Sequence, residues 1–216
     1  MRLQDSLDQR KTNFESSASE KVVATMHRAT DALIDSDILS KVPKKGQIVP
    51  SLTLPGPDGT RFSSQALLEK GPLVIHFFRG GWCPYCCLEL DALSALNSDI
   101  NNLGATLVAI SPNTVNFAAE TMEKMNLTFP ILSDAGCKTA ARFGLAFKMP
   151  EDLIDLYKKF DIDLDKLNGN ADWELPMPAR FIVDRTGTIV DARVNADYTQ
   201  RPEPLEIIDI LKQIAA

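Results

Sequence analysis

Apolar and polar positions alternate along this 216-residue chain with two periods that change at identifiable points. Leu73-Val74-Ile75-His76-Phe77-Phe78 is a nearly unbroken apolar run, as expected of a central strand covered on both faces. Leu90, Leu93, Leu96, Ile100 and Leu103 then follow a helical rhythm that Gly104 ends. Ala105–Ile110 reads as a second buried strand, 114–125 as a helix after the Ser111-Pro112-Asn113-Thr114 turn, and Phe129–Leu132 as a third strand. Ser133-Asp134 opens a short helix through Phe143. The last part differs: Arg180–Asp184 and Thr188–Val194 read as a hairpin, followed by a helix with Leu205, Ile208, Leu211 and Ile214 on one face.

Before the first long strand, Ser51–Leu54 and Thr60–Phe62 read as short extended pieces around Pro55-Gly56-Pro57-Asp58-Gly59, and Ser63 or Ser64 caps a helix through Leu68. Residues 1–42 are polar, but Val22, Val23, Met26, Ala29, Ala32 and Leu33 recur at helical spacing. They predict one long N-terminal helix whose stripe packs on the domain or on a second copy, with 1–15 as a solvated, partly frayed arm. The expected organisation is a helical extension over 1–42 and a single domain over 43–216. A charged insertion, 147–174, precedes the final hairpin and reads by default as passive, with a lid or a dimer contact as alternatives. Strands alternating with helices of this length indicate an α/β fold, a mixed sheet flanked by helices.

Composition narrows the function. A net charge of −6 argues against nucleic acid or an anionic membrane as partner. No apolar run approaches the ~18 residues of a membrane span, and no apolar leader opens the chain, so a cytoplasmic protein is expected. The four cysteines are Cys83, Cys86, Cys87 and Cys137. Cys83-Pro84-Tyr85-Cys86 lies where the strand turns into the helix, and there unpaired N–H groups and the helix dipole favour a thiolate. Pro84 suits an early helical position. Redox chemistry follows, and thiol chemistry of this kind needs no bound cofactor; a zinc site would need ligands beyond Cys137 and two isolated histidines, His27 and His76, so no metal is expected.

In this order the elements resemble the thioredoxin fold, and within it the peroxiredoxins of the alkyl hydroperoxide reductase and thiol-specific antioxidant family. The resemblance covers about residues 46–214. It rests on Gly46-Gln47-Ile48-Val49-Pro50, Asp58-Gly59, the Phe77-Phe78 strand, Leu132-Ser133-Asp134 and Arg180-Phe181-Ile182-Val183-Asp184-Arg185-Thr186-Gly187. The dithiol departs from that family. Its members carry a proline seven residues and a threonine or serine three residues before the reactive cysteine. Cys83 has His76 and Gly80 there, and Cys86 has Arg79 and Cys83. Trp82-Cys83 resembles thioredoxins, and the C-P-Y-C resembles glutaredoxins.

The resemblance implies a thiol peroxidase acting on hydrogen peroxide or an alkyl hydroperoxide. Cys83 is the expected nucleophile and Cys86 the resolving thiol, with the reverse order open, and a thioredoxin-like or glutathione-type thiol restores both. It places Arg180 beside the reactive cysteine and Pro178, as a cis-proline, against the dithiol. Trp82 is expected to shield the pair. Arg79 supports an anion or is a plain surface charge. Cys87 reads as buried and inert, Cys137 as inert or an alternative resolving thiol, and His76 as a packed core residue. The rival readings are a thiol–disulfide oxidoreductase and a redox-sensing module without turnover. A homodimer is expected only by analogy.

Overall fold

The structure, a computed structural model, describes residues 2–215. From the N-terminus come α1 (Leu3–Ser17), α2 (Glu20–Asp35), a 3-10 turn (Ile38–Lys41), the hairpin β1 (Thr53–Pro55) and β2 (Arg61–Ser63), and α3 (Ser64–Leu68). The body continues with β3 (Leu73–Phe77), α4 (Pro84–Asn102), β4 (Thr106–Ser111), α5 (Val115–Met125), β5 (Ile131–Ser133) and α6 (Lys138–Arg142). Then follow β6 (Ala146–Lys148), α7 (Glu151–Lys159), α8 (Leu164–Asn168), β7 (Glu174–Pro176), β8 (Ala179–Val183), β9 (Ile189–Val194) and α9 (Glu206–Ala215). The main sheet runs β5-β4-β3-β8-β9, with β3, β4 and β5 parallel and the hairpin β8–β9 added antiparallel to β3. This is the thioredoxin-like mixed sheet flanked by helices. Among the described residues no helix is long and apolar enough to cross a membrane.

β3 is the pivot because both of its faces are buried. Val74 and Phe78 pack with Leu90, Leu93 and Ile100 of α4, Leu7 of α1, and Ile207 and Leu211 of α9. Leu73, Ile75 and Phe77 pack on the opposite side with Leu67, Phe143, Phe181 and Val183. Each fully buried leucine or isoleucine contributes about 1.5–3 kcal/mol, which fixes α4 on the sheet. The strand therefore delivers its C-terminal turn, and the two thiols, to a defined place at the start of α4.

Three expectations for the periphery are corrected. The N-terminal segment is two helices, broken where Ala18 is extended, and its first half is no frayed arm. Leu3 and Leu7, four residues apart, share one face and are buried on the body. The carboxylate of Glu203 accepts hydrogen bonds from the Leu3 and Gln4 N–H groups (3.1 and 3.2 Å), satisfying two free donors at the start of α1. Second, Leu205 lies outside the apolar face of α9 and is 65% exposed, while Ile207 and Leu211 are its buried anchors. Third, the 147–174 segment is packed into the molecule. β6 and β7 pair at its base, and Leu153, Leu156, Tyr157, Leu164 and Trp173 form a core that Val22, Met26 and Ala29 of α2 complete. The stripe on α2 is thus used within the chain.

Candidate active site

The turn after β3 depends on two glycines. Gly80 has φ +142°, and a Cβ there would lie 2.4 Å from Trp82 Nε1 and 2.8 Å from Asn113 Oδ1. A Cβ on Gly81 would lie 2.4 Å from Thr121 Oγ1. With both clear, the Cys83 N–H reaches the Gly80 carbonyl (3.1 Å), and Cys83 becomes the N-cap of α4 with Pro84 in its first turn. Both thiols of the pair are free. Cys83, 2% exposed, lies in the wall of a cavity of about 320 Å³. Cys86 is fully buried one turn behind it and lines no part of that cavity.

The two thiols differ in charge. Burial raises the pKa of Cys83, but a hydrogen bond from the Cys86 thiol, the guanidinium groups of Arg79 and Arg201 and the Cys86 N–H outweigh it and bring the value down to about 6. Cys86 goes the other way: burial, donation to Cys83 and the negative charge there hold it well above the ordinary thiol value. At neutral pH the cavity therefore faces a thiolate with a protonated thiol behind it. Burial pushes Cys87 up to about 11, and its S–H donates to the Gly81 carbonyl (3.2 Å). Cys137 is buried and raised as well.

Two buried arginines flank the pair. Arg79 hydrogen-bonds the Tyr157 hydroxyl and lies over the rings of Tyr198, Trp82 and Tyr157 at 4.4, 5.1 and 5.6 Å. It is 3% exposed, so the surface-charge alternative fails. Arg201 donates from Nη2 to Cys86 Sγ (3.6 Å), and its Nε lies 3.1 Å from Glu89 Oε2. Glu89 in turn lies 3.6 Å from His76 Nε2, and burial holds His76 below its ordinary pKa.

Residues 45–192 match the AhpC/TSA family. The chain belongs to the AhpC/TSA family. A Mycobacterium tuberculosis protein named as a peroxiredoxin is 31% identical over 124 residues, 57% of this chain and 80% of the relative. The chloroplastic peroxiredoxin Q of Populus jackii is 31% identical over 121 residues, 56% of this chain and 54% of that protein. Among solved structures, peroxidoxin BcpB of M. tuberculosis superposes with a TM-score of 0.62 at 23% identity, over 79% of this chain and 97% of that one. At that identity it speaks for the fold alone.

Two expectations drawn from the resemblance, for Arg180 and for Pro178, are not met in the structure. Arg180 makes no hydrogen bond or ion pair with a thiol among the described residues. Its Nη1 donates to the Glu203 carbonyl (3.0 Å), its Nη2 to Glu206 Oε2 (2.9 Å), and Asp191 lies at 3.6 Å. The Glu203 carbonyl and the Glu206 carboxylate at the start of α9, with Asp191 of β9, hold it there. Pro178 is preceded by a trans peptide, since the described residues contain no cis bond; trans is the ordinary X–Pro form, and the chain passes extended from β7 into β8.

Trp82 does line the cavity beside Cys83, and it packs edge-on against Tyr157 at 5.6 Å. His27 is exposed on α2 with Glu15 at 2.7 Å, away from the thiols. Sequence reasoning missed Arg201, Glu89, Tyr157 and Tyr198. Arg201 and Tyr198 lie beyond the span this AhpC/TSA chain shares with its family, as do Arg10, Phe14 and Met26, which α1 and α2 contribute to the cavity wall. One signal was available for Glu89: it is a carboxylate on the inward face of α4, beside Leu90 and three residues after Cys86.

Proposed function

We propose that this protein reduces hydroperoxides with Cys83 as nucleophile and Cys86 as resolving thiol. The chain is a thiol peroxidase of its family. The observation that supports these roles is the placement of a thiolate at the N-cap of α4, in the wall of a cavity, with a protonated thiol one turn behind it. The Cys83 thiolate attacks the outer peroxide oxygen, the O–O bond breaks, and the departing oxygen leaves as an alcohol or water after taking a proton. Cys83 is then a sulfenic acid. Cys86 condenses with it to a disulfide and releases water, ahead of irreversible over-oxidation. A thioredoxin-type dithiol reduces the disulfide by exchange.

Arg79 favours the thiolate in the resting state, and its stacked rings keep the guanidinium in place. The cavity wall supports an organic hydroperoxide as substrate: Phe14, Met26, Trp82, Tyr157, Phe160 and Ile162 give it far more apolar surface than hydrogen peroxide needs. The test is stopped-flow mixing of the reduced protein with hydrogen peroxide and with cumene hydroperoxide. Both should react much faster than a free thiolate, cumene hydroperoxide the more efficiently. Second-order constants no greater than that of a free thiolate, together with rapid reduction of insulin disulfides, would replace this reading by thiol–disulfide exchange, for which the intact C-x-x-C speaks.

A further inference from the structure

The steps above leave Arg201, Glu89 and His76 without a task. They form a buried file behind the dithiol, running from Cys86 Sγ through the Arg201 guanidinium and the Glu89 carboxylate to the His76 ring. Their side chains are at most 4% exposed. The backbone of Arg201 is tied down as well, its N–H donating to Gln4 Oε1 of α1 (3.0 Å). An arginine this deep needs a counter-charge, and Glu89 supplies it on the Nε side of the guanidinium. Arginine carries five donors in a planar fork, so Nη2 remains for the sulfur.

We propose that Arg201 is a catalytic residue of the resolving step, its guanidinium stabilising the charge that develops on Cys86 Sγ as Cys86 attacks the sulfenic acid at Cys83. The inference rests on the assignment of Cys83 as nucleophile. The step needs no external reactant. The Cys86 S–H bond and the Cys83 S–O bond break, the Sγ–Sγ bond forms, and the hydroxyl departs with the Cys86 proton as water. Cys86 is oxidised from thiol to disulfide while Cys83 is reduced from sulfenic acid to disulfide.

The need for such a group follows from the state of Cys86. Disulfide formation proceeds through the thiolate, yet this thiol is the one held protonated. Part of what raises it is the negative charge on Cys83. That charge disappears once Cys83 becomes a sulfenic acid, and the groups then acting on Cys86 are the Arg79 turn and Arg201, with Glu89 and the buried His76, whose pKa burial lowers, behind the guanidinium. Of these, Arg201 is the cation in contact with the sulfur. Both arginines favour the thiolate at Cys83, Arg79 more than Arg201, but it is Arg201 whose guanidinium donates to the second sulfur.

Single-turnover mixing of the reduced full-length protein with hydrogen peroxide separates the steps. The peroxide-dependent phase reports sulfenate formation and the peroxide-independent phase reports disulfide closure. In Arg201→Gln, closure should slow by about tenfold or more, its pH profile should move to higher pH, and Cys83 sulfenate should become trappable by dimedone and prone to over-oxidation. The peroxide-dependent phase should lose much less. Arg201→Lys, which keeps the charge and is the variant expected to preserve the fold, should recover part of the closure rate. Unchanged closure and an unchanged pH profile in Arg201→Gln would overturn the proposal. So would an equal loss in both phases without rescue by lysine, the mark of a purely structural role. Cys86→Ser distinguishes a failure at the earlier level: if it forms no sulfenate on Cys83, the nucleophile assignment falls, whatever Arg201 does.

Discussion

Arg79→Gln tests whether the guanidinium under the three aromatic rings sets the reactivity of Cys83. An opposite charge close to an ionisable group shifts its pKa by roughly 1–3 units. In the wild-type protein Cys83 titrates at about 6, with burial opposing and the Cys86 thiol, Arg79 and Arg201 favouring the thiolate. Since the Cys86 hydrogen bond and Arg201 remain in the variant, the lower part of that range applies, about 1–2 units or about 1.4–2.7 kcal/mol. Cys83 should then titrate at about 7–8. At about pH 7 the thiolate fraction falls from about nine-tenths to between about a half and a tenth, so the peroxide-dependent rate drops about 2–10-fold, and the loss fades above about pH 9. Ultraviolet thiolate absorbance and iodoacetamide alkylation across pH both read the shift. Arg79→Lys keeps the charge and should restore most of it. If the apparent pKa of Arg79→Gln stays within about half a unit of wild type, Arg79 is a packing residue and the electrostatic account of Cys83 is wrong.

Three further outcomes follow from the same structure. Leu7→Ala removes a fully buried anchor of α1 and should cost about 2–5 kcal/mol in urea unfolding; a loss near zero would restore the frayed arm. Gly81→Ala drives a methyl group to 2.4 Å from Thr121 Oγ1 and should destabilise the turn, while Thr121→Ala in the same chain should recover part of the loss, with a coupling of about 0.5–3 kcal/mol. Strictly additive effects would refute that contact. Folding should also be linked to pH through Cys83. Between about 6, where the folded thiol titrates, and about 8.5, where the unfolded one does, the unfolded chain binds more protons, so stability rises with pH and the gain is lost as pH falls through 6. The stability of the reduced protein should therefore climb relative to Cys83→Ser over that window, and a flat difference would contradict the lowered pKa.

What was legible in the sequence is what local pattern determines. The unbroken run at Leu73–Phe77 and the 3–4 spacing after Cys86 specify a buried strand and an amphipathic helix, and the dithiol between them could lie nowhere but at the helix start. The cavity wall was only partly legible. The stripe that carries Met26 could be read, but Phe14 sits in a mostly polar helix and Tyr157 in a charged segment, and Met26 and Tyr157 come together only where α2 meets α7 in space.

The arginines show the same limit at the level of charge. The family resemblance pointed to Arg180, but a buried guanidinium goes where a carboxylate holds it. Glu206 and Asp191 on α9 and β9 capture Arg180. Glu89 captures Arg201, and because Glu89 stands three residues after Cys86 on the same helix face, it brings that charge to the sulfur. The carboxylate on the apolar side of α4 was thus the readable trace of a cation arriving from more than a hundred residues away. Which of the chain's arginines serves the dithiol is decided by the pairing of acids with bases, and the strand that carries an arginine does not decide it.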